Sequence, residues 1–199
     1  MLYLASGSPR RRELLTQIGV PFDLLKVAVD ESLRLGEAPL EYVQRLAAEK
    51  ARAGYEALLH RNLPGGCVLG ADTSVVVDGM ILGKPAHCAD AVTMLTSLSG
   101  RSHDVITAIA LATPQGVNVA HSITAVSFRT ISPEEAAAYW DTGEPADKAG
   151  AYGIQGLGAV FVEGIQGSYT GVVGLPLFET AQLLQQAGIA VWQTGESNA

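Results

Sequence analysis

The sequence predicts a single-domain α/β protein. Its 199 residues are 48% hydrophobic and 17% charged, the composition of a chain that buries a substantial core. Candidate strands and helices are interspersed along it, and no linker, internal repeat or low-complexity tract divides it. At roughly 100 to 200 residues per domain, the length is that of one domain. We therefore expect residues 1–192 to fold as one unit and the tail, 193–199, to be disordered.

The first two helices are marked by proline at their first position. Residues 2–5 form an apolar strand candidate, and Ser8 with Pro9 supplies the N-cap and first residue of a helix. Gly19 stands where a glycine commonly ends such a helix. A second helix is predicted to begin at Pro39, because apolar residues recur after it at helical spacing.

Two hairpins are predicted in the middle of the chain. Apolar runs within 67–82 lie on either side of Asp78-Gly79, a dipeptide typical of a two-residue hairpin turn. Residues 90–98 have the pattern of a short helix. A second, longer hairpin follows, with its turn at 114–116.

The C-terminal third combines helices with a glycine-rich stretch. Ser132 and Glu135 form a capping box that opens a helix. Residues 141–174 are rich in glycine around one strand candidate, 159–163, and such loops let the backbone approach another group closely. A last helix is predicted to begin at Pro176.

Charge and cysteine content exclude several classes of function. Lys and Arg number 13 against 20 Asp and Glu, a net charge of −7 that repels nucleic acid and anionic membranes. Cys67 and Cys88 have neither a CxxC nor a zinc-site spacing, which favours a reducing compartment. The N-terminus lacks the pattern of a secretory signal, and no apolar run reaches the roughly 18 residues of a membrane span. We expect a cytoplasmic protein without nucleic-acid or membrane partners.

Three consecutive arginines, residues 10–12, lie in the first turn of the helix that Pro9 begins. A helix N-terminus carries about half a positive charge, so each cation there is unfavourable by roughly 0.3–1 kcal/mol. A bound phosphate chain would reverse that sign, since it accepts backbone N–H groups, serine hydroxyls and guanidinium groups together. Alternatively, the arginines are solvated or pair with carboxylates elsewhere in the chain.

Asp72, Glu31 and Lys50 are further candidates, each with a plain structural alternative. Burial would raise the pKa of Asp72 and a nearby cation would lower it, so Asp72 is a base, a ligand or a turn residue. Glu31 is a magnesium ligand or an exposed loop acid. Lys50 lies on the apolar side of the second helix, where a lysine stem can also reach water.

Common catalytic templates are absent from the sequence. Lys84 follows glycine, but Pro85 stands where a P-loop has Ser or Thr. There is no GxSxG or HExxH motif, and the histidines lack ligand spacing.

Eight segments taken in order resemble the Maf family and extend from about residue 2 to 188. They are ASGSPRRREL, Asp30-Glu31, Glu49-Lys50-Ala51, Gly70-Ala71-Asp72-Thr73, Gly83-Lys84-Pro85, Ser99-Gly100 with His103, Asp147 to Gly156, and Val172 to Pro176. The resemblance implies a long mixed β-sheet flanked by helices around a central cleft, similar to the inosine triphosphatases. It also implies a homodimeric nucleoside triphosphate pyrophosphatase that cuts between the α and β phosphates with a divalent cation, Mg²⁺ or Mn²⁺.

The resemblance further implies roles for individual residues. Asp72 matches the proton acceptor, and we expect it to share the metal ion with Glu31. The polar active-site set is matched by Ser8, Arg11, Glu31, Lys50 and Lys84, and the positions linked with substrate choice by Arg10, Thr73 and Gln155.

The segment around Gln155 is similar to the branch of the family that acts on dTTP and UTP. A glutamine amide offers both a donor and an acceptor to the edge of uracil or thymine. One departure is Gly171, where many relatives have asparagine. The alternatives are a pyrophosphatase for modified pyrimidine nucleotides or N7-methyl-GTP, and a nucleotide-binding regulator of cell division without essential turnover.

Overall fold

The computed structural model describes residues 1–193, which form one mixed β-sheet flanked by helices. In the described chain the sheet has seven strands in the order β2-β1-β3-β5-β6-β7, with β4 paired to β3. The strands are β1 (Leu2–Leu4), β2 (Asp23–Leu24), β3 (Cys67–Val77), β4 (Met80–Leu82), β5 (Ser102–Thr113), β6 (Gly116–Phe128) and β7 (Val162–Gln166). This architecture confirms the expected α/β fold class.

The helices are α1 (Pro9–Gln17), α2 (Pro39–His60), α3 (Cys88–Leu98), α4 (Pro133–Trp140), α5 (Tyr169–Val173) and α6 (Leu177–Gln186). Short 3-10 helices span Glu144–Asp147, Ala149–Ala151 and Leu157–Phe161. None of the helices within residues 1–193 combines the length and the apolar character needed to cross a bilayer.

Strand β3 organises the sheet, because it pairs with β1 in parallel and with β4 and β5 antiparallel. Its alternate side chains face opposite sides, as the strand geometry requires. Val68 packs in the cluster formed with α2, whereas Leu69 packs with residues of α1 and α6. Asp72 is an even number of residues beyond Val68 and therefore faces α2.

Helix α2 packs closely on β3 because Gly70 has no side chain. A Cβ at Gly70 would lie 2.6 Å from the backbone nitrogen of Ala51 and would overlap the carbonyl oxygen of Ala47. This close approach brings Lys50, the residue before Ala51, to the level of Asp72 on the strand.

Most element boundaries agree with the sequence predictions. Helices α1 and α2 begin at their prolines, and α6 begins directly after Pro176. The predicted two-residue turn is present, with φ of 52° at Asp78 and 75° at Gly79.

The capping box predicted at the start of α4 is only half formed. The Ser132 hydroxyl accepts the N–H of Glu135 at 3.2 Å, as expected. The Glu135 carboxylate does not return the bond, because it pairs with both terminal nitrogens of Arg129. A bidentate pair with a guanidinium is the stronger interaction for a carboxylate.

The strand predicted over 159–163 is present, but its predicted start is three residues too early. Residues up to Phe161 belong to a 3-10 helix, and the strand begins at Val162. Phe161 is buried against Tyr139 and Phe128, so tertiary packing overrides the local strand preference. Strand β2 and helix α5 were not predicted.

Two further details differ from the sequence expectations. The residues on either side of Asp72 form one continuous strand, so Asp72 lies within β3 and is not a turn residue. Gln193, the first residue of the predicted disordered tail, donates its backbone N–H to the Gly19 carbonyl at 3.0 Å. The remaining tail, 194–199, lies outside the described residues.

Candidate active site

A cleft of about 990 Å³ lies beside β3. Its walls come from the β1–α1 loop, the N-terminus of α1, α2, the loop after β4 and the segment 144–156. Every site residue predicted from the sequence lines this cleft: Ser8, Arg10, Arg11, Glu31, Lys50, Asp72, Thr73, Lys84 and Gln155. The fold thus brings together residues that are up to 147 positions apart in the chain (155 − 8 = 147).

At the centre of the cleft, the ammonium group of Lys50 lies between two carboxylates. Its Nζ is 2.8 Å from Asp72 Oδ1 and 2.7 Å from Glu31 Oε1. The side chains of Lys50 and Asp72 are only 15% and 12% exposed, whereas that of Glu31 is 58% exposed. Lys50 is therefore a counter-ion to a buried aspartate and not a lysine that reaches out to water.

The two carboxylates have opposite pKa shifts because they are desolvated to different degrees, although Lys50 lowers the pKa of both. Burial raises the pKa of Asp72, and the charge and hydrogen bond of Lys50 counteract only part of that effect. The hydrogen bond from Lys50 holds the pKa of Glu31 below its ordinary value, because Glu31 is less desolvated. Carboxylates whose pKa values are driven apart are suited to different roles, and Asp72 is the stronger base of this pair.

A metal ion shared by Asp72 and Glu31 would depend on ligands from outside the protein. Across residues 1–193, no group of three or more His, Cys, Asp or Glu side chains could hold a metal ion. The two carboxylates alone nevertheless suit Mg²⁺, which usually binds through one or two carboxylates, waters and substrate phosphates. The residues present fit a cation whose coordination is completed by a phosphate substrate.

Arg11 lines the cleft, but most of its donors are bound to the protein. Its Nε donates to Gly174 O at 2.8 Å, and Nη1 donates to Ala71 O at 2.9 Å and to Ser6 Oγ at 3.0 Å. Nη2 donates to Thr73 Oγ1 at 3.2 Å. Since a guanidinium has five N–H groups, one on Nη2 remains for a substrate. Arg11 thus fixes the cleft wall, and burial lowers its pKa against the opposing charges of Asp72 and Glu31.

The donors that remain available are on Ser8, Arg10 and Lys84. The Ser8 hydroxyl is at the N-cap of α1 but makes no capping hydrogen bond. Arg10 is 3.9 Å from Asp147, a distance too long for a hydrogen bond. Lys84 is exposed and has no ion pair or hydrogen bond to any residue of the described chain. Together with the α1 N-terminus, these groups form an anion-binding surface.

Gln155 lies in the glycine-rich segment, exposed at the cleft. The structure adds three neighbours from the same segment that the sequence reasoning did not select as site residues: Glu144, Asp147 and Lys148. Asp147 and Lys148 pair with each other, and Lys148 also donates to Glu144 O at 3.3 Å. In the sequence, Asp147 and Lys148 were marked only by the segment Asp147 to Gly156, and Glu144 only by the glycine-rich stretch 141–174.

Comparisons with known proteins show the family of this chain. A family model described as Maf-like protein matches residues 1–187. The dTTP/UTP pyrophosphatase of Saccharophagus degradans is 57% identical over 194 residues, which cover 96% of this chain and 91% of that protein. The dTTP/UTP pyrophosphatases of Aliivibrio fischeri and Hahella chejuensis are 54% and 52% identical, over 93% and 96% of this chain and 97% and 94% of those proteins.

Proposed function

Because this chain belongs to the Maf family, we propose that it hydrolyses dTTP and UTP between the α and β phosphates, releasing a nucleoside monophosphate and pyrophosphate. Relatives that are 52% to 57% identical over nearly the whole chain bear the name dTTP/UTP pyrophosphatase. The observation that carries the proposal is the buried Asp72–Lys50 pair, at 2.8 Å, in a cleft that is also lined by the cationic side chains of Arg10 and Lys84.

The triphosphate binds along the anion-binding surface. Ser8 and the N-terminus of α1 offer hydroxyl and backbone donors to phosphate oxygens. Arg10 and Lys84 supply positive charge, which stabilises the negative charge that develops on the departing pyrophosphate. Arg11 holds this wall in place through its bonds to Ala71 and Gly174.

Asp72 accepts the proton of the attacking water. As that proton leaves, the water oxygen forms a bond to the α phosphorus, and the bond from the α phosphorus to the bridging oxygen breaks. The bridging oxygen departs with the electron pair as part of pyrophosphate. Burial raises the pKa of Asp72, which strengthens it as a base, and Lys50 keeps the carboxylate oriented.

A divalent cation, Mg²⁺ or Mn²⁺, is part of the proposal. Glu31 and Asp72 would hold it together with phosphate oxygens, and when bound it would neutralise phosphate charge. Gln155 reads the pyrimidine edge through its amide. The homodimer and the cytoplasmic location inferred from the sequence stay predictions.

Pyrophosphate release from a panel of nucleoside triphosphates tests the function. The purified protein is incubated with each nucleotide and Mg²⁺ or Mn²⁺, with and without chelator, and the nucleotide product is identified by chromatography. We expect monophosphate and pyrophosphate from dTTP and UTP, and no product with chelator. Turnover of N7-methyl-GTP alone would refute the assignment of Gln155, and tight nucleotide binding without product would favour the regulator.

A further inference from the structure

The carboxylate of Glu144 binds the backbone of the glycine-rich segment. Its Oε2 accepts the N–H of Leu157 at 2.8 Å, and its Oε1 accepts the N–H of Gly158 at 3.0 Å. Oε1 also accepts the hydroxyl of Tyr139 at 2.5 Å. Three donors therefore converge on one half-buried carboxylate, and bonds to an ionised acceptor are roughly twice as strong as neutral ones.

The opposite end of the same segment is bound by Tyr139. The Tyr139 hydroxyl accepts the backbone N–H of Gly153 at 3.2 Å while it donates to Glu144. Residues 153–158, which we call the arch, are thus attached at one end to Tyr139 and at the other to Glu144. The two anchoring side chains are hydrogen-bonded to each other, so one polar pair, Tyr139 and Glu144, holds both ends of the arch.

The arch packs directly against the Glu144 carboxylate. A Cβ at Gly156 would overlap Oε2 of Glu144, and one at Gly153 would lie 3.1 Å from Oε1. Glycine at these positions therefore lets the backbone approach the carboxylate. The role of these two glycines is close contact, because their φ angles lie outside the left-handed region.

The hydrogen bonds also fix the ionisation of the pair. Burial raises the pKa of Glu144, but the bonds from Tyr139, Gly158 and Leu157 outweigh it and leave the pKa below the ordinary value. Burial, reinforced by the bond to Glu144, raises the pKa of Tyr139, so the phenol stays protonated and donates.

Gln155 lies near the middle of the arch, and the position of its backbone is set by the arch. Its side chain is exposed at the cleft and has no hydrogen bond to any residue within 1–193. The backbone on either side of Gln155 is held by the hydrogen bonds at Gly153, Leu157 and Gly158. An amide can discriminate between bases only if its donor and acceptor are held in a fixed orientation.

We propose that Glu144 and Tyr139 are positioning residues for substrate choice, which act by holding the arch that carries Gln155. The proposal rests on the proposed function, in which Gln155 reads the pyrimidine. Tyr139 does not line the cleft, so a change at Tyr139 reaches the nucleotide only through the groups it bonds, which are the arch and the Glu144 carboxylate.

The variants Tyr139→Phe and Glu144→Gln test this proposal, with Glu56→Gln as the matched control. Glu56 is exposed on α2 and makes no ion pair or hydrogen bond with the described part of the chain. We expect both arch variants to lower kcat/KM for dTTP and UTP by about tenfold, mainly through KM, and for dGTP and ATP by less than about twofold. Glu56→Gln leaves all four values unchanged.

A double-mutant cycle with Gln155→Ala separates positioning from general damage. If Tyr139 acts through Gln155, adding Tyr139→Phe to Gln155→Ala leaves the ratio of pyrimidine to purine turnover unchanged. An equal loss for all four nucleotides, or effects that add in the double variant, would overturn the proposal.

Hydrogen exchange of the arch gives a readout that needs no turnover. We expect faster amide exchange over 153–158 in Tyr139→Phe than in the wild type, with unchanged exchange in α2 and β3. Unchanged exchange in the arch would overturn the proposal. A wild type that binds dTTP without cleaving it would contradict the proposed function instead, and the ratio of dissociation constants for dTTP and dGTP would then decide the role of the arch.

Discussion

The pKa values of the two central carboxylates depend on one shared ammonium group, that of Lys50, and on how deeply each carboxylate is buried. Lys50 contacts Asp72 and Glu31 at nearly equal distances, 2.8 and 2.7 Å, yet only Asp72 has a raised pKa. The difference comes from desolvation, since the Glu31 side chain is largely exposed. These residues could be selected from the sequence, but the ion pairs between them could not, because they depend on how α2 packs against β3.

Replacing Asp72 by asparagine should abolish most of the turnover. The substitution keeps the shape of the side chain and removes the proton acceptor, so we expect kcat for dTTP to fall by about 10² to 10⁴-fold. The comparison variant is Asp104→Asn, since Asp104 is exposed on the neighbouring strand β5. Near-normal turnover by Asp72→Asn, with a native circular dichroism spectrum, would show that Asp72 is not the base.

Lys50→Met should move the acid side of the pH–rate profile to higher pH. Lys50 is the largest influence that lowers the pKa of Asp72, so its loss raises that pKa further. A base with a higher pKa becomes protonated, and inactive, at a higher pH as the solution is acidified. The pH dependence of kcat/KM measures this shift, with exposed Lys26→Met as control. An unchanged or downward shift would contradict the role of Lys50.

Among the secondary-structure elements, the contact between α2 and β3 is the one that builds the site. The start of α2 was predictable from Pro39, and β3 from its apolar runs. The distance between α2 and β3 could not be predicted, because it depends on the absence of a side chain at Gly70, where two segments distant in sequence come into contact. The wrong start predicted for the strand at 159–163 has a similar origin, since burial of Phe161 decides the local structure.

Gly70→Ala should separate α2 from β3 and impair both stability and catalysis. Its Cβ would meet backbone atoms of Ala47 and Ala51, which cannot rotate away. Overpacking of this kind costs about 1–3 kcal/mol in the free energy of unfolding, and the shift of Lys50 should also lower kcat. Thermal unfolding and dTTP turnover provide the readouts. Gly164→Ala is the control, since nothing lies within 4 Å of a Cβ there, and equal behaviour of the two variants would contradict this role of Gly70.

Across the whole molecule, His103 connects the sheet to the glycine-rich segment. It is buried on β5, and its Nε2 is 2.9 Å from the hydroxyl of Tyr152. Burial lowers its pKa from 6.5 to about 4, with a smaller contribution from Arg101. The sequence showed that His103 lacks metal-ligand spacing, but it could not place the residue in a buried aromatic cluster with Phe128 and Tyr152.

The folded protein should therefore lose stability on mild acidification. Below about pH 6.5 the unfolded chain takes up a proton at His103 that the folded chain does not bind until about pH 4. Between pH 7 and pH 5 this linkage lowers the free energy of unfolding by about 2 kcal/mol. Urea denaturation at the two pH values should show a smaller difference for His103→Gln than for wild type, and the same difference for exposed His60→Gln. If the free energy of unfolding changed between the two pH values by the same amount in His103→Gln and in wild type, His103 would not be the origin of the pH dependence.

The central claim is that water activated beside Asp72 attacks the α phosphorus. Hydrolysis of dTTP in H₂¹⁸O, followed by mass spectrometry of both products, tests it most directly. Attack at the α phosphorus predicts one ¹⁸O atom in the nucleoside monophosphate and none in pyrophosphate. Label in pyrophosphate, or release of orthophosphate with a nucleoside diphosphate, would show that the reaction takes place at a different phosphorus and would contradict the proposed mechanism.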